Sequence, residues 1–564
     1  MANVCDVLVR LLSEVGVRQI FGVPGDAINT LTEAIRKQDA IRFIHVNHEE
    51  SGAFAAVGQA KLTSKLGVCA GTSGPGAIHL LNALYDAKCD RAPVLAVTGQ
   101  VETRIMGSDY QQEIDLHTLF RDVCVYNQVV SSAEHFAYVA VQAIQAAIEK
   151  KGVAHLNIPL DLASQSVPDA DRWHAHIPDL RTAPASEPDL DTAARLLNEA
   201  KKPIILAGIG CQGAQDKVFQ LAETLQAPIV HALRAKELFP ESHPLSLGGI
   251  GNLGVKPSVH AMGHADLLLL IGTNFPYVEF LPKHIRTVQI DIDPAQIGKR
   301  VPVDCGIVGD TGEVLDALLP QIEQKTDDAF LKDAQSRMQA WRDEMVRDAS
   351  KTEGAIHPGR LAWLVGEAAP PETVFVCDTG EVTAWTARYT QIKPGQRFTV
   401  SGILATMAFS QGAAIGAKFA YPERPVVVMT GDGGFSMLMT DFSTAVKYKL
   451  PMLIVVFNNR KLGLIEVEQE VRGLPNYETD LHNPNFAAFA NICGGDGERV
   501  SDPALLPEAI ARGLKSPVPF VLDVLIDGEV ELVPPKVTFM QAAQFAKGKA
   551  IEAVENTLHL MSPQ

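Results

Sequence analysis

Residues 431–459 read GDGGFSMLMTDFSTAVKYKLPMLIVVFNN, and this stretch decides the fold. The apolar run Val426–Met429 leads into Gly431-Asp432-Gly433-Gly434. A segment of helical character follows, and a second apolar run, Met452–Phe457, ends on Asn458-Asn459. The order is strand, tight turn, helix, strand, loop. It places the Asp432 carboxylate and the Asn459 amide at the carboxyl ends of two strands, where open α/β sheets bind ligands. Both groups present hard oxygens, which suit Mg²⁺ that also holds a diphosphate. Gly433 and Gly434 let backbone N–H groups approach phosphate oxygens closely. Singly, the Gly-Asp-Gly could be an ordinary β-turn and the Asn-Asn an ordinary loop. Their spacing and the strand on each side point to one site.

Working outward, strand-like runs alternate with helical patterns along the whole chain, as in parallel sheets. With 564 residues, 46% hydrophobic and 20% charged, the chain is globular and long enough for three or four domains. Two composition breaks divide it, IPDLRTAPASEPDLD at 177–191 and RDASKTEGAIHPG at 347–359. The expected organisation is three doubly wound parallel-sheet α/β domains, at 1–180, 185–345 and 355–535, with a tail at 536–564. A net charge of −17 argues against a nucleic-acid partner. No apolar run approaches the ~18 residues that span a bilayer. The start, MANVCDVLVRLLSEVGV, reads as an amphipathic helix and not as a signal peptide. The eight cysteines are scattered without a CxxC pair, which fits a reducing cytoplasm.

The 431–459 stretch resembles the GDG…NN diphosphate-binding motif of thiamine-diphosphate (ThDP) enzymes. In the first domain, RFIHVNHEESGAFAA (42–56) resembles the segment that carries their catalytic glutamate, by position Glu49. His45 and His48 invite a metal reading beside it, but the spacing is not that of a helical HExxH and nothing downstream completes a site. The resemblance implies that the Glu49 carboxyl faces N1′ of the aminopyrimidine and stabilises the tautomer whose 4′-imine removes the C2 proton. Glu50 reads as solvated surface. GTSGPG (71–76) is similar to the turn lining the cofactor cleft, which makes Gly74 a cofactor contact, with Gly25. GSDYQQE (107–113) resembles a further segment, in which Gln112 supplies an amide to substrate or cofactor. Gln111 stands where many members carry an apolar ring, so the substrate pocket is open to a 2-oxo acid other than pyruvate.

In the last domain SGILATMAFSQGAAIGA (401–417) is similar to the segment before the GDG strand. There Met407 implies the bulky wedge under ThDP, against the alternative of a core methionine. Ala405 offers a backbone carbonyl to the 4′-amino group, and Thr406 lies between them. In RKLGLIEVEQE (460–470) the resemblance implies that the Lys461 carbonyl is a third protein ligand for Mg²⁺, with Asp432 and Asn459. Leu462 and Gly463 imply cofactor contacts, and Leu464 and Ile465 would face the thiazolium. Glu468 matches a pocket acid of some pyruvate oxidases, or else a solvated helix face.

The middle domain separates subclasses. GIGCQGA (208–214) looks like GxGxxGA but has no acidic partner ~20 residues on. HALRAKE (231–237), GIGNLG (249–254), GTNFPY (272–277), DIDPAQIGKR (291–300) and VGD (308–310) together resemble the FAD-binding domain of pyruvate oxidases. They imply flavin-nucleotide contacts from Gly251; from Thr273, Asn274, Phe275, Pro276 and Tyr277; from Asp291, Ile292, Asp293, Pro294 and Ala295; and from Asp310. From residue 5 to about 535 the chain resembles the ThDP- and FAD-dependent pyruvate oxidase and pyruvate dehydrogenase (quinone) family. That family implies oxidative decarboxylation of a 2-oxo acid, pyruvate first, through a ThDP enamine. Two electrons pass to FAD and then to a quinone or O₂, giving acetate or acetyl phosphate. Acetolactate synthases share the fold, the glutamate, the GDG…NN motif and FAD, and give the alternative, a carboligase with structural FAD; a non-catalytic nucleotide binder is the third reading. The resemblance also implies a cofactor shared between chains, hence a homo-oligomer, a dimer at least and a tetramer by preference. In the tail, Ile551, Val554, Leu558 and Met561 fall on one helical face. That face is narrow and poor in basic charge, so weak peripheral membrane contact at most is expected.

Overall fold

Apolar runs such as Leu267–Ile271 become strands buried on both faces, as parallel sheets covered by helices require. In a computed structural model of the chain, the described residues are 2–177, 184–530, 532, 534–536, 543–549 and 551. They form three six-stranded sheets in which every pairing is parallel.

The first sheet holds β1 (Gln19–Gly22), β2 (Arg42–His45), β3 (Gly67–Gly71), β4 (Val94–Gln100), β5 (Cys124–Val129) and β6 (Val153–Pro159), in the order β2-β1-β3-β4-β6-β5. The second holds β7 (Pro203–Ala207), β8 (Ile229–His231), β9 (Ser246–Gly249), β10 (Leu267–Ile271), β11 (Arg286–Asp291) and β12 (Cys305–Val308), in the order β12-β11-β10-β7-β8-β9. The third holds β13 (Val374–Cys377), β14 (Arg397–Val400), β15 (Val426–Gly431), β16 (Leu453–Asn458), β17 (Asp496–Val500) and β18 (Phe520–Leu525), in the order β14-β13-β15-β16-β18-β17. The outer two sheets therefore share one topology. The middle sheet, read from β9, has the strand order of dinucleotide-binding folds. The order reverses between β1 and β3, between β7 and β10, and between β13 and β15, and ligands bind at such switch points.

The first and third units are joined by a crossing of two small-residue helices, Glu49–Thr63 and Phe409–Ala420. Ser51, Ala55 and Gly58 lie against Gly412, Ala413 and Gly416, and Phe54 meets Phe409 edge to face at 5.7 Å. One detail departs from expectation. β15 enters its helix without a separate turn, at Asp432–Leu438, and the expected single helix is broken by a 3₁₀ turn at Met439–Asp441 before Phe442–Lys447. At the break Asp441 Oδ1 accepts from Asn47 N at 2.8 Å and Thr444 Oγ1 at 2.7 Å, so side-chain partners compete with the helical ladder.

Among the described residues no helix is long and apolar enough to cross a membrane. Of the tail, a helical stretch at 543–549 is described, with Lys549 Nζ 2.6 Å from Glu470. The expected apolar face lies outside the described residues at Val554, Leu558 and Met561; only Ile551 of it falls within them.

Candidate active site

A continuous cavity of about 1360 Å³ runs from the end of the middle sheet to the end of the third. It exceeds the ~300–1,000 Å³ of ordinary ligand clefts and has room for more than one cofactor-sized group. On the middle side its wall includes Ile209, Gly210, Asp310 and the loop Thr273–Tyr277. On the third side it includes Thr379–Glu381, Gly431–Gly434 and Lys461–Ile465. Helices Glu381–Tyr389, Asp432–Leu438 and Gly463–Val471 all start at this wall. First-turn N–H groups lack intrahelical acceptors, so three such starts favour an anion.

The carboxylates of this wall are held by neighbours. Asp432 Oδ1 accepts from Gly433 N at 2.9 Å, and Oδ2 accepts from Arg460 N and Asn483 Nδ2, each at 2.7 Å. Asn459 Oδ1 accepts from Lys461 N at 3.0 Å, while its Nδ2 donates to Glu381 Oε2 at 3.0 Å. Burial pushes the Asp432 carboxyl up to about 6. Burial, then the neighbouring Glu466 charge, pushes Glu381 up to about 7. Glu466, Lys461 and Asp432 all act on Glu381, and Lys461 Nζ is 3.5 Å from Glu466 and 3.1 Å from Glu529. Hard oxygens and an excess of buried carboxyls fit a divalent cation, which would relieve the crowding. An anion at the helix starts would in turn share that cation.

Glu49 lies elsewhere, at the first-domain switch point. It opens the helix Glu49–Thr63 and is 8% exposed. His79 Nδ1 donates to Glu49 Oε2 at 2.9 Å, and the His79 ring stacks on His48 at 4.4 Å. Among the described residues, His48, Glu49 and His79 are the one His/Cys/Asp/Glu group whose ligand atoms all lie within 4.8 Å. His48 Nδ1 already accepts from Glu50 N at 3.2 Å and His79 Nδ1 faces Glu49 Oε2, so the two rings as placed orient the carboxylate. A Cβ at Gly76 of the GPG turn would press on Glu49 Oε1 at 3.2 Å and Thr72 Cγ2 at 2.9 Å, so a side chain there would displace the carboxylate. Glu50 accepts from Asn82 Nδ2 at 2.6 Å and is held, not freely solvated.

Three segments match thiamine pyrophosphate enzymes: the N-terminal TPP binding domain at 2–119, the central domain at 190–318 and the C-terminal TPP binding domain at 378–524. A putative thiamine pyrophosphate-containing protein, YdaP, of Bacillus subtilis is 43% identical over 541 residues, covering 96% of this chain and 94% of the relative. The chain belongs to the thiamine pyrophosphate enzyme family. Pyruvate oxidase of Lactiplantibacillus plantarum is 34% identical, covering 96% of this chain and 91% of that one. A probable acetolactate synthase large subunit of Methanocaldococcus jannaschii is 32% identical, with 94% and 93% covered.

Within this thiamine pyrophosphate enzyme, the cavity wall holds Ala405, Met407, Asp432, Gly433, Gly434, Asn459 and the run Lys461–Ile465, together with Glu468. It also holds Thr273, Asn274, Phe275, Pro276, Tyr277, Asp291, Ile292 and Asp310 from the middle unit. Glu468 is close enough to raise the Tyr277 phenol, after burial and Glu279, so the two units meet across the cavity. Other candidates lie off this wall. Thr406 Oγ1 accepts from Asn82 Nδ2 of the first unit at 3.0 Å. Asp293 pairs with Arg91 at 2.8 Å, and Pro294 and Ala295 follow it in a 3₁₀ turn. Gly251, at φ 104°, backs onto Phe275 and Tyr277. Gly25, Gly74 and Gln112 belong to the Glu49 end: Gly25 abuts Thr72, and Gly74 abuts the Gln112 backbone. Gln112 is exposed at φ 63°.

Three residues of the site escaped the motif reading: Asp378, Glu381 and Asn483. Asp378 is fully buried beneath Gly434 and accepts from Ser410 Oγ at 2.7 Å and Thr430 Oγ1 at 3.1 Å. The signal for the first two was available: Asp378-Thr379-Gly380-Glu381 follows the apolar run VFVC as Gly431–Gly434 follows its own strand. Asn483 had no local signal, since only folding brings it to Asp432.

Proposed function

We propose that this chain is a ThDP-, Mg²⁺- and FAD-dependent oxidoreductase that decarboxylates a 2-oxo acid, with pyruvate the first candidate. The observation that carries the reading is the single cavity whose wall joins the Asp432–Asn459 cluster to the Thr273–Tyr277 and Asp291 loops of a sheet with dinucleotide-binding order. Asp432, Asn459 and the Lys461 carbonyl would hold Mg²⁺, and the three helix starts would hold the diphosphate. The middle-unit wall fits a flavin nucleotide, with apolar Phe275 and Ile292 beside carboxylates at Asp291 and Asp310 that suit sugar hydroxyls. Bound ThDP would supply a nucleophilic carbon for the substrate ketone and an electron sink for CO₂ loss, and bound FAD would take up two electrons. The protein's part is placement. Glu49 holds a proton at the pyrimidine, kept in orientation by His79. Met407 wedges between the halves of the site, Leu464 and Ile465 exclude water, and Glu468 stands where third and middle units face each other.

Glu49 does not line the cavity that Asp432 lines in the same chain. We therefore infer that two chains complete each site, in a dimer or tetramer, with a cytoplasmic location and at most weak peripheral membrane contact. The electron acceptor in this reading is a quinone or O₂. The relatives include both an oxidase and acetolactate synthases, so a carboligase with structural FAD is the second reading. Product analysis separates the two. Protein loaded with ThDP, Mg²⁺ and FAD is incubated with pyruvate and a dye electron acceptor. Acetate and dye reduction in equal amounts are expected; acetolactate with the dye unreduced would reject the oxidoreductase.

A further inference from the structure

At the side of the cavity, apart from the residues given a role above, three units meet in a buried ionic cluster. Lys61 Nζ lies 2.6 Å from both Asp86 Oδ2 and Asp90 Oδ2; the lysine side chain is 2% exposed and both carboxylates are fully buried. Arg234 of the middle unit brings Nε within 3.6 Å of Asp90 Oδ2 and donates through Nη1 to Asp90 O at 2.6 Å.

The cluster grips one segment of the third unit. Lys61 Nζ donates to Val400 O at 3.1 Å, and Asp86 Oδ1 accepts from Ser401 Oγ at 2.7 Å. The two oxygens of Asp90 accept from Gly402 N at 2.9 Å and Ile403 N at 3.2 Å. Ser401 Oγ then accepts from Thr406 N at 3.0 Å. Gly402 is tightly enclosed, since a Cβ there would lie 2.5 Å from Arg234 Cδ and 3.0 Å from Asp90 Oδ1. The gripped segment is strained: Ala405 has φ 54° and Ala408 φ 67°. L-residues with a Cβ keep such angles only where their surroundings over-determine them. Met407, between them, reaches toward Gly433, where a Cβ would meet its Cε at 3.2 Å. Buried ion pairs stabilise folds weakly compared with apolar packing, and fixing a register is their best-attested use.

We propose that Lys61, Asp86, Asp90 and Arg234 are positioning residues that fix the 401–408 segment. They set where the Ala405 carbonyl and the Met407 side chain point, and thereby how readily bound ThDP is activated rather than how tightly it binds. The proposal rests on the ThDP reading of the cavity. Its test is exchange of the ThDP C2 hydrogen for solvent deuterium, followed by acid quench and NMR on full-length protein with ThDP and Mg²⁺, because this needs neither substrate nor flavin. Asp90→Asn keeps the shape but removes the charge that grips two N–H groups. It should slow exchange by about 10-fold or more while ThDP affinity changes by less than about 3-fold, as small misplacements act on reactivity before binding. Ser401→Ala removes only the bridging hydroxyl, a change mild enough to keep the fold should Asp90→Asn misfold. It should slow exchange in the same sense, and Ser401→Thr should restore it. Exchange unchanged in folded Ser401→Ala, or lost only in proportion to ThDP binding, would overturn the proposal. A wild-type protein that does not accelerate exchange would overturn the ThDP reading itself, and the proposal with it.

Discussion

Replacing Glu49 with glutamine should lower turnover by about 10²–10⁴, the scale of a general acid–base group, while ThDP binding persists. Glutamine matches the shape of a side chain that is only 8% exposed and can still accept the His79 hydrogen bond through its carbonyl. It cannot take up and return a proton. The cation and diphosphate contacts lie at Asp432 and Asn459, away from this end of the first sheet, so affinity should be nearly untouched. Steady-state rates beside a calorimetric ThDP titration check both halves. Near wild-type turnover would remove Glu49 from the proton path, and lost binding with intact turnover per bound cofactor would make it an anchor instead.

Asp432→Ala should do the reverse, lowering Mg²⁺-dependent ThDP affinity by about 10²-fold or more, since even outer partners of a metal ligand commonly cost 10–100-fold. The alanine removes a carboxylate, takes the acceptor from Arg460 N and leaves Asn483 Nδ2 with only its second partner, Asn458 Oδ1 at 3.1 Å. The pH dependence has a definite sign. Burial raises Asp432 from an ordinary 3.8 to about 6, and a cation needs the carboxylate, so cofactor loading should weaken as pH falls through about 6. In the metal-free protein the same shift means that the folded state holds a proton the unfolded chain has lost. That contribution to stability is fully present below about 3.8 and fades as pH rises through about 6. The gain in melting temperature on adding Mg²⁺ and ThDP should therefore grow from pH 5 to 7 in the wild type, and in Asp432→Ala it should be much smaller and lose that pH dependence. A wild-type gain independent of pH, or a gain retained in full in the variant, would contradict the assignment.

How much could be read in the chain itself follows from how local each signal is. Strands such as Leu267–Ile271 and Val426–Gly431 announce themselves as apolar runs, and Asp432 and Asn459 sit immediately after two of them. The alternation of strands and helices made three doubly wound sheets legible. The strand order of the middle sheet was not, because order is set by which edge each crossover reaches. Asn483 meets Asp432, and Lys61 meets Asp86, Asp90 and Arg234, only after helices and sheets from distant segments pack. Thr406 shows the converse limit: its register placed it beside Met407, but side-chain direction turned it to Asn82. The helix expected after Asp432 was broken at Asp441 by a tertiary partner, Asn47, that no local pattern contains.

The most direct test of the central claim, a thiamine site feeding electrons to a flavin through one cavity, is anaerobic stopped-flow absorbance of the protein loaded with ThDP, Mg²⁺ and FAD on mixing with pyruvate. The flavin should bleach within the turnover time, bleaching should require ThDP and Mg²⁺, and it should slow in Glu49→Gln. A flavin that stays oxidised while pyruvate is consumed would contradict it.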